Sequence, residues 1–214
     1  SIKGIGTSTI TASQAMTANY IAGTVTTPFV VNQLSPTLST SFIVPATKTV
    51  GDAKFKLIPP KSNSISPFVF TSSSTAVATI AKDVVTIVGS GTTTISATQA
   101  STKSYGPRTV SGIMTVNQKI TVLTNFSMAR RIIGVAPFAI VPPTTNGNGA
   151  ITYTSSNTDV ATIAGNMITV VGVGTSTITA NQASTSNFTS GTISATLAVN
   201  RPTPQVGALL ITNK

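Results

Sequence analysis

Asp52, Asp83 and Asp159 are the only side-chain carboxylates in 214 residues, and the chain has no His and no Cys. Two acids held a few ångströms apart could hydrolyse a glycosidic bond. Asp83, however, follows a Val-Ala-Thr-Ile segment, whereas Asp159 lies inside the later copy of that segment, so no spacing pairs them. Ser and Thr are abundant, but a hydroxyl nucleophile needs an adjacent base, and the usual one at neutral pH is missing. A calcium site wants several oxygen ligands, generally with clustered acids. Metal or redox chemistry through thiolates is excluded. The expectation is a protein that is not an enzyme, with no catalytic residue, no metal ligand and no cofactor.

Positive charge is plentiful. Thirteen Lys and Arg give a net charge of +10. The local concentration is Lys48, Lys54, Lys56 and Lys61, with Lys54 and Lys56 expected on one face of a strand by its two-residue period. These four form a candidate patch for an anionic partner. The competing reading is a solvated face on a chain poor in acids, and the spread of cations along the whole sequence favours it. Nucleic acid is not expected, because no aromatic residues interleave with the basic ones. Asn125-Phe126-Ser127 and Asn187-Phe188-Thr189 fit the glycan-acceptor pattern, which makes Asn125 and Asn187 candidate acceptors.

A repeat must position these residues. Gly4-Ile5-Gly6-Thr7-Ser8-Thr9-Ile10-Thr11-Ala12-Ser13-Gln14 returns as Gly89-Ser90-Gly91-Thr92-Thr93-Thr94-Ile95-Ser96-Ala97-Thr98-Gln99. It returns again, after a nearly equal interval, as Gly172-Val173-Gly174-Thr175-Ser176-Thr177-Ile178-Thr179-Ala180-Asn181-Gln182. Each interval is the length of one small domain. Tyr20, Tyr105 and Phe188 all lie equally far beyond the second glycine of their copies, a recurrence expected of an aromatic core plug. Val31-Asn32-Gln33, Val116-Asn117-Gln118 and Val199-Asn200-Arg201 close each copy. Apolar residues alternate with Thr in Thr9-Ile10-Thr11-Ala12, Val85-Thr86-Ile87 and Ile168-Thr169-Val170, the pattern of strands with one buried face. No window has helical periodicity. Short strands with frequent turn signals point to a sandwich of two antiparallel sheets.

The repeat divides the chain into 1–33, the C-terminal part of a unit; 34–118 and 119–201, two whole units; and 202–214, a linker or the first strand of a further unit. The expectation is a window on a longer array. No stretch of apolar residues is long enough to span a membrane, so no membrane span is expected.

Ser155-Ser156-Asn157-Thr158-Asp159-Val160-Ala161-Thr162-Ile163, followed by Gly172 to Ala180, resembles bacterial immunoglobulin-like repeats of the group 2 type. Ser72 to Ile80 with Gly89 to Ala97 matches the same pattern, and the N-terminal copy matches in its second half only. The resemblance implies an all-β fold of tandem immunoglobulin-like β-sandwich domains. It also implies a structural module of an extracellular, cell-surface or virion-surface protein: a fibre, stalk or capsid decoration. The expected partners are other structural proteins of that surface, or copies of the chain itself through open strand edges at 1–33. An adhesin segment for a host glycan or protein, and a polyanion-binding module, are the alternatives.

Overall fold

The computed structural model describes residues 4–204, so the expected linker or opening strand at 202–214 lies outside the described residues from 205 onward. Every regular element among the described residues is a β-strand. The chain divides into two compact units, Ser1–Asn117 and Gln118–Lys214.

The first unit begins with a hairpin. Strands β1 (Gly6–Gln14) and β2 (Gly23–Val31) pair antiparallel from Gly6 opposite Val31 to Gln14 opposite Gly23. Then follow β3 (Thr47–Thr49), β4 (Phe55–Lys56), β5 (Phe68–Ser72), β6 (Ala78–Ala81), β7 (Val84–Ile87), β8 (Gly91–Gln99) and β9 (Arg108–Asn117). They form two sheets, ordered β3-β9-β8-β5 and β4-β7-β6. All neighbours are antiparallel except β3 and β9, which run parallel.

The second unit repeats this plan. Its strands are β10 (Leu123–Thr124), β11 (Arg131–Ile132), β12 (Phe138–Ala139), β13 (Thr144–Thr145), β14 (Ile151–Ser155), β15 (Ala161–Ala164), β16 (Met167–Val170), β17 (Gly174–Gln182) and β18 (Gly191–Asn200). The sheets are β11-β18-β17-β14 and β12-β16-β15, with β10 and β13 as an added pair. Here β11 runs parallel to β18.

The Thr-apolar alternation explains the layering. In β8, Thr93, Ile95, Ala97 and Gln99 are buried while the residues between them are less so. Branched residues suit such a half-buried pleat. The two cores match position for position. Leu57, Val77, Ala78, Val85, Ile95, Met114 and Val116 fill the first. Ile140, Val160, Ala161, Ile168, Ile178, Leu197 and Val199, their counterparts in the same order and at one constant offset, fill the second. Burying one such large aliphatic side chain stabilises by roughly 1.5–3 kcal/mol. Stacked aromatics recur as well, Phe42 with Phe70 at 5.8 Å and Phe126 with Tyr153 at 6.2 Å between ring centres.

The second glycine of each pair opens the strand rather than turning the chain before it. Gly91 and Gly174 hold φ of +136° and +141°, and a Cβ there would meet Val77 at 2.9 Å and Val160 at 3.0 Å. Both the backbone angle and the close core valine require glycine.

The recurring aromatic is not a core plug. Tyr105 and Phe188 are half-buried and stand outside both cores, and Tyr20 is 72% exposed. What recurs at this position is a backbone loop, and nothing in the structure explains why its residue is aromatic. The Tyr20, Tyr105 and Phe188 carbonyls accept from the N–H of Thr17, Thr102 and Thr185, closing the same tight loop three times at 2.8–2.9 Å.

Two glutamines that open no chemistry in the sequence have a clear structural role. Gln99 is buried, accepts from the Ser62 hydroxyl at 2.8 Å and donates to the Ser64 and Ser66 carbonyls. Gln182 accepts from the Thr145 hydroxyl at 2.5 Å and donates to the Gly149 carbonyl at 2.9 Å. Each ties the end of its strand to the loop before the neighbouring strand, and the bonds offset the cost of burying an amide. The recurrence of Gln at a buried parity was the available signal.

Candidate functional site

The basic cluster lies on the first sandwich, beside a groove of about 380 Å³. Its apolar lining comes from Ile43, Pro45, Phe55 and Ile58, and its rim from Lys56 and Lys61. Two of the four lysines line it. Lys48, on β3, places its ammonium 5.1 Å from the centre of the Phe55 ring and is not part of the lining. Lys56 lies 3.5 Å from Asp83, with both side chains well exposed. Such an exposed pair contributes little to stability but neutralises part of the rim.

Lys54 corrects the expectation of a shared strand face. Strand β4 holds only Phe55 and Lys56. The preceding chain is committed to a turn in which the Asp52 carboxylate accepts from the Thr49 N–H at 3.0 Å and the Asp52 N–H donates to the Thr49 carbonyl at 3.0 Å. With the turn ending there, the two-residue period has no strand to act on at Lys54, which is exposed.

The second sandwich separates what is structural here from what is particular to the first. Lys48 and Phe55 become Arg131 and Phe138, with the guanidinium 4.2 Å from the ring centre. Lys54, Lys56 and Lys61 become Pro137, Ala139 and Thr144, and Asp83 becomes Asn166. The cation over the ring therefore belongs to the fold. The Lys56–Asp83 pair is gained or lost as a pair, and the basic rim is a property of the first sandwich alone.

The acids are dispersed into local tasks. Asp52 closes a turn, Asp83 faces Lys56, and the Asp159 N–H donates to the Asn157 side chain at 3.0 Å. No group of three potential metal ligands forms among the described residues. Asn125 is exposed at a positive φ of 59°, with its amide 3.4 Å from the Thr144 hydroxyl. Asn187 is half-buried, and its carbonyl accepts from the Lys119 N–H at 2.9 Å. Burial pushes the Tyr153 phenol above its ordinary value.

Seven strands in two facing sheets, with the first edge strand parallel to the last strand, define each sandwich as immunoglobulin-like and the chain as a tandem of such domains. No protein-family model matches the sequence. No curated protein matches it either. Among solved structures, the chain is similar to domains EC1–4 of Drosophila N-cadherin, at 12% identity and a TM-score of 0.34, over 86% of this chain and 54% of that one. It therefore spans about half the length of that cadherin fragment. It is also similar to domains EC1–3 of a mouse clustered protocadherin, at 12% identity and a TM-score of 0.37, over 92% and 78% of the two chains. A third is a SusE-like surface-located polysaccharide-binding protein from the heparin utilisation locus of Bacteroides thetaiotaomicron, at 14% identity and a TM-score of 0.31, over 90% and 38%. No helix among the described residues is long and apolar enough to cross a membrane.

Proposed function

We propose that the chain is a non-enzymatic structural module of a protein displayed outside a cell or on a virion, a length of fibre, stalk or capsid decoration. Its repeats are of the group 2 bacterial immunoglobulin-like type. In this reading residues 1–33 end one repeat, 34–118 and 119–201 are whole repeats, and 202–214 lead into another. The observation that supports it most is the duplicated core: every buried position of the first cluster recurs in the second at one constant offset, so one rigid design is used twice. The outward strand positions are mainly Ser and Thr, which solvate the surface without charge. The Asp52 and Asp83 carboxylates each serve a separate local contact.

Stretching single molecules by their ends tests this. A spacer gives two separate unfolding events, each releasing about 290 Å of chain at ~3.5 Å per extended residue. Unravelling without resolved events would overturn a mechanical role.

One observation favours a second function beside the first, an adhesive segment for an anionic glycan. Lys56 and Lys61 rim an apolar groove, and the second sandwich has neither lysine. A sulfated oligosaccharide is expected to bind the whole chain, to lose affinity on Lys56→Ala with Lys61→Ala, and to weaken steeply with salt. Binding unchanged in the double variant would remove the groove from consideration.

A further inference from the structure

The hairpin β1–β2 is built to the same register as the last two strands of both sandwiches. Gly6 faces Val31 as Gly91 faces Val116 and Gly174 faces Val199, and each ladder ends with a Gln: Gln14 opposite Gly23, Gln99 opposite Arg108, Gln182 opposite Gly191. The counterparts of Ile10 and Phe29 are Ile95 and Met114, then Ile178 and Leu197, all fully buried. Ile10 and Phe29 are 52% and 44% exposed, and Val25 on the same face is 74% exposed. The opposite face is mostly Thr. One apolar face therefore stands open, and the same chain displays twice what covers such a face.

Its polar ends are equally specific. Ser8 matches Thr93 and Ser176, whose hydroxyls meet those of Ser72 at 2.8 Å and Ser155 at 2.7 Å and accept the N–H of Ser74 and Asn157. Gln14 matches Gln99 and Gln182, which each take one hydroxyl donor and donate to backbone carbonyl oxygen.

The open edge is defined as well. Thr94 and Thr177 accept from the Ser73 and Ser156 N–H. Their counterpart Thr9, and by the two-residue period Thr11 and Ser13, direct their backbone groups to the free side of β1. On the free side of β2, Pro28 offers no N–H. The long antiparallel partner thus adds to β1, while the counterparts of β2 take only the short parallel strands β3 and β11 at their ends.

We propose that β1 and β2 are a docking surface for a polypeptide with the chemistry of the first strands of the second sandwich. It carries a strand ending in Ser-Ser that pairs antiparallel with β1, and an aliphatic sheet that covers Ile10 and Phe29. Residues 119–173 fit better than 34–90 at two positions. Gly23 corresponds to Gly191, where Leu123 sits so close that a Cβ would meet it at 2.6 Å, whereas the first sandwich has Arg108 there. Thr27 corresponds to Ala195 but to Gly112 in the first sandwich, where a Cβ would meet Val44 at 2.9 Å. The inference rests on the reading of residues 1–33 as the end of a repeat, and its failure would leave the spacer role of the two whole sandwiches standing.

The test titrates the full chain with a separately made polypeptide of sequence 119–173 and follows amide exchange. Exchange at Thr9, Thr11 and Ser13 is expected to slow at least about tenfold. The slowing is expected to vanish in Ile10→Asp, fall in Gln14→Ala, and persist in Thr26→Asp on the opposite face. A fusion placing 119–173 ahead of Ser1 decides the matter if the free polypeptide is insoluble, and the same three amides are expected to be protected there. No slowing in either form, or equal slowing in Ile10→Asp, overturns the proposal. Protection that rises with chain concentration without the added polypeptide also overturns it, and assigns the face to a second copy.

Discussion

The Arg131 guanidinium sits 4.2 Å from the centre of the Phe138 ring, and Lys48 stands over Phe55 in the same way. The strand that pairs parallel with the last strand is thereby fastened to the opposite sheet. Arg131→Gln is expected to destabilise the second unit by about 0.5–1 kcal/mol. In a Phe138→Leu background the same substitution is expected to cost nothing further. Urea unfolding of the four combinations measures the coupling, and full additivity would count against it.

Identical substitutions are expected to give opposite results in the hairpin and the sandwiches. Gln182→Ala removes the acceptor of the Thr145 O–H and the side-chain donor to the Gly149 carbonyl, while the Thr145 oxygen keeps the Gly147 N–H. Its expected cost is about 1–3 kcal/mol. Gln14→Ala, at an exposed position, is expected to leave the melting of the chain unchanged. Likewise Ile178→Ala is expected to cost about 2–5 kcal/mol and Ile10→Ala almost nothing. Thermal denaturation of the four variants checks both pairs.

Gly174→Ala is expected to destabilise the second unit by about 1–3 kcal/mol, through its backbone angle and the valine beside it. Relief is expected from Val160→Ala only in part, since that change removes the clash and leaves φ strained. Unfolding midpoints of the single and double variants separate the two contributions.

Tyr153 gives the second unit a dependence on alkaline pH. Burial raises its folded value above the ordinary tyrosine value near ~10. The neutral phenol is thus favoured in the folded state, so its contribution is complete below about pH 10 and is lost as pH rises through the folded value. Tyr153→Phe is expected to flatten the stability profile above about pH 10. Equal slopes in both proteins would assign the loss to other groups.

Much of this was legible in the sequence, and its limits are physical. The long strands β1, β2, β8, β9, β17 and β18 announce themselves through alternation and recurrence. Very short strands such as β3, β4 and β11 cannot carry a period, so alternation does not reveal that Lys54 lies outside β4. Tyr105 and Phe188 recur at a conserved backbone loop and are only half-buried, and residue type alone does not reveal that their rings stand outside the cores. The cation over Phe55 becomes visible only when Lys48 and Phe55 are laid beside Arg131 and Phe138. The lysine groove needed coordinates, because its lining comes from separated stretches on either side of β3.

Parallel pairing of β3 with β9, and of β11 with β18, carries a mechanical consequence. When a domain is pulled by its two ends, neighbouring strands that point the same way slide past one another instead of peeling apart. Their hydrogen bonds then resist together in shear, and none can fail alone. Each sandwich is therefore expected to give way in shear rather than by peeling, with no disulfide to share the load.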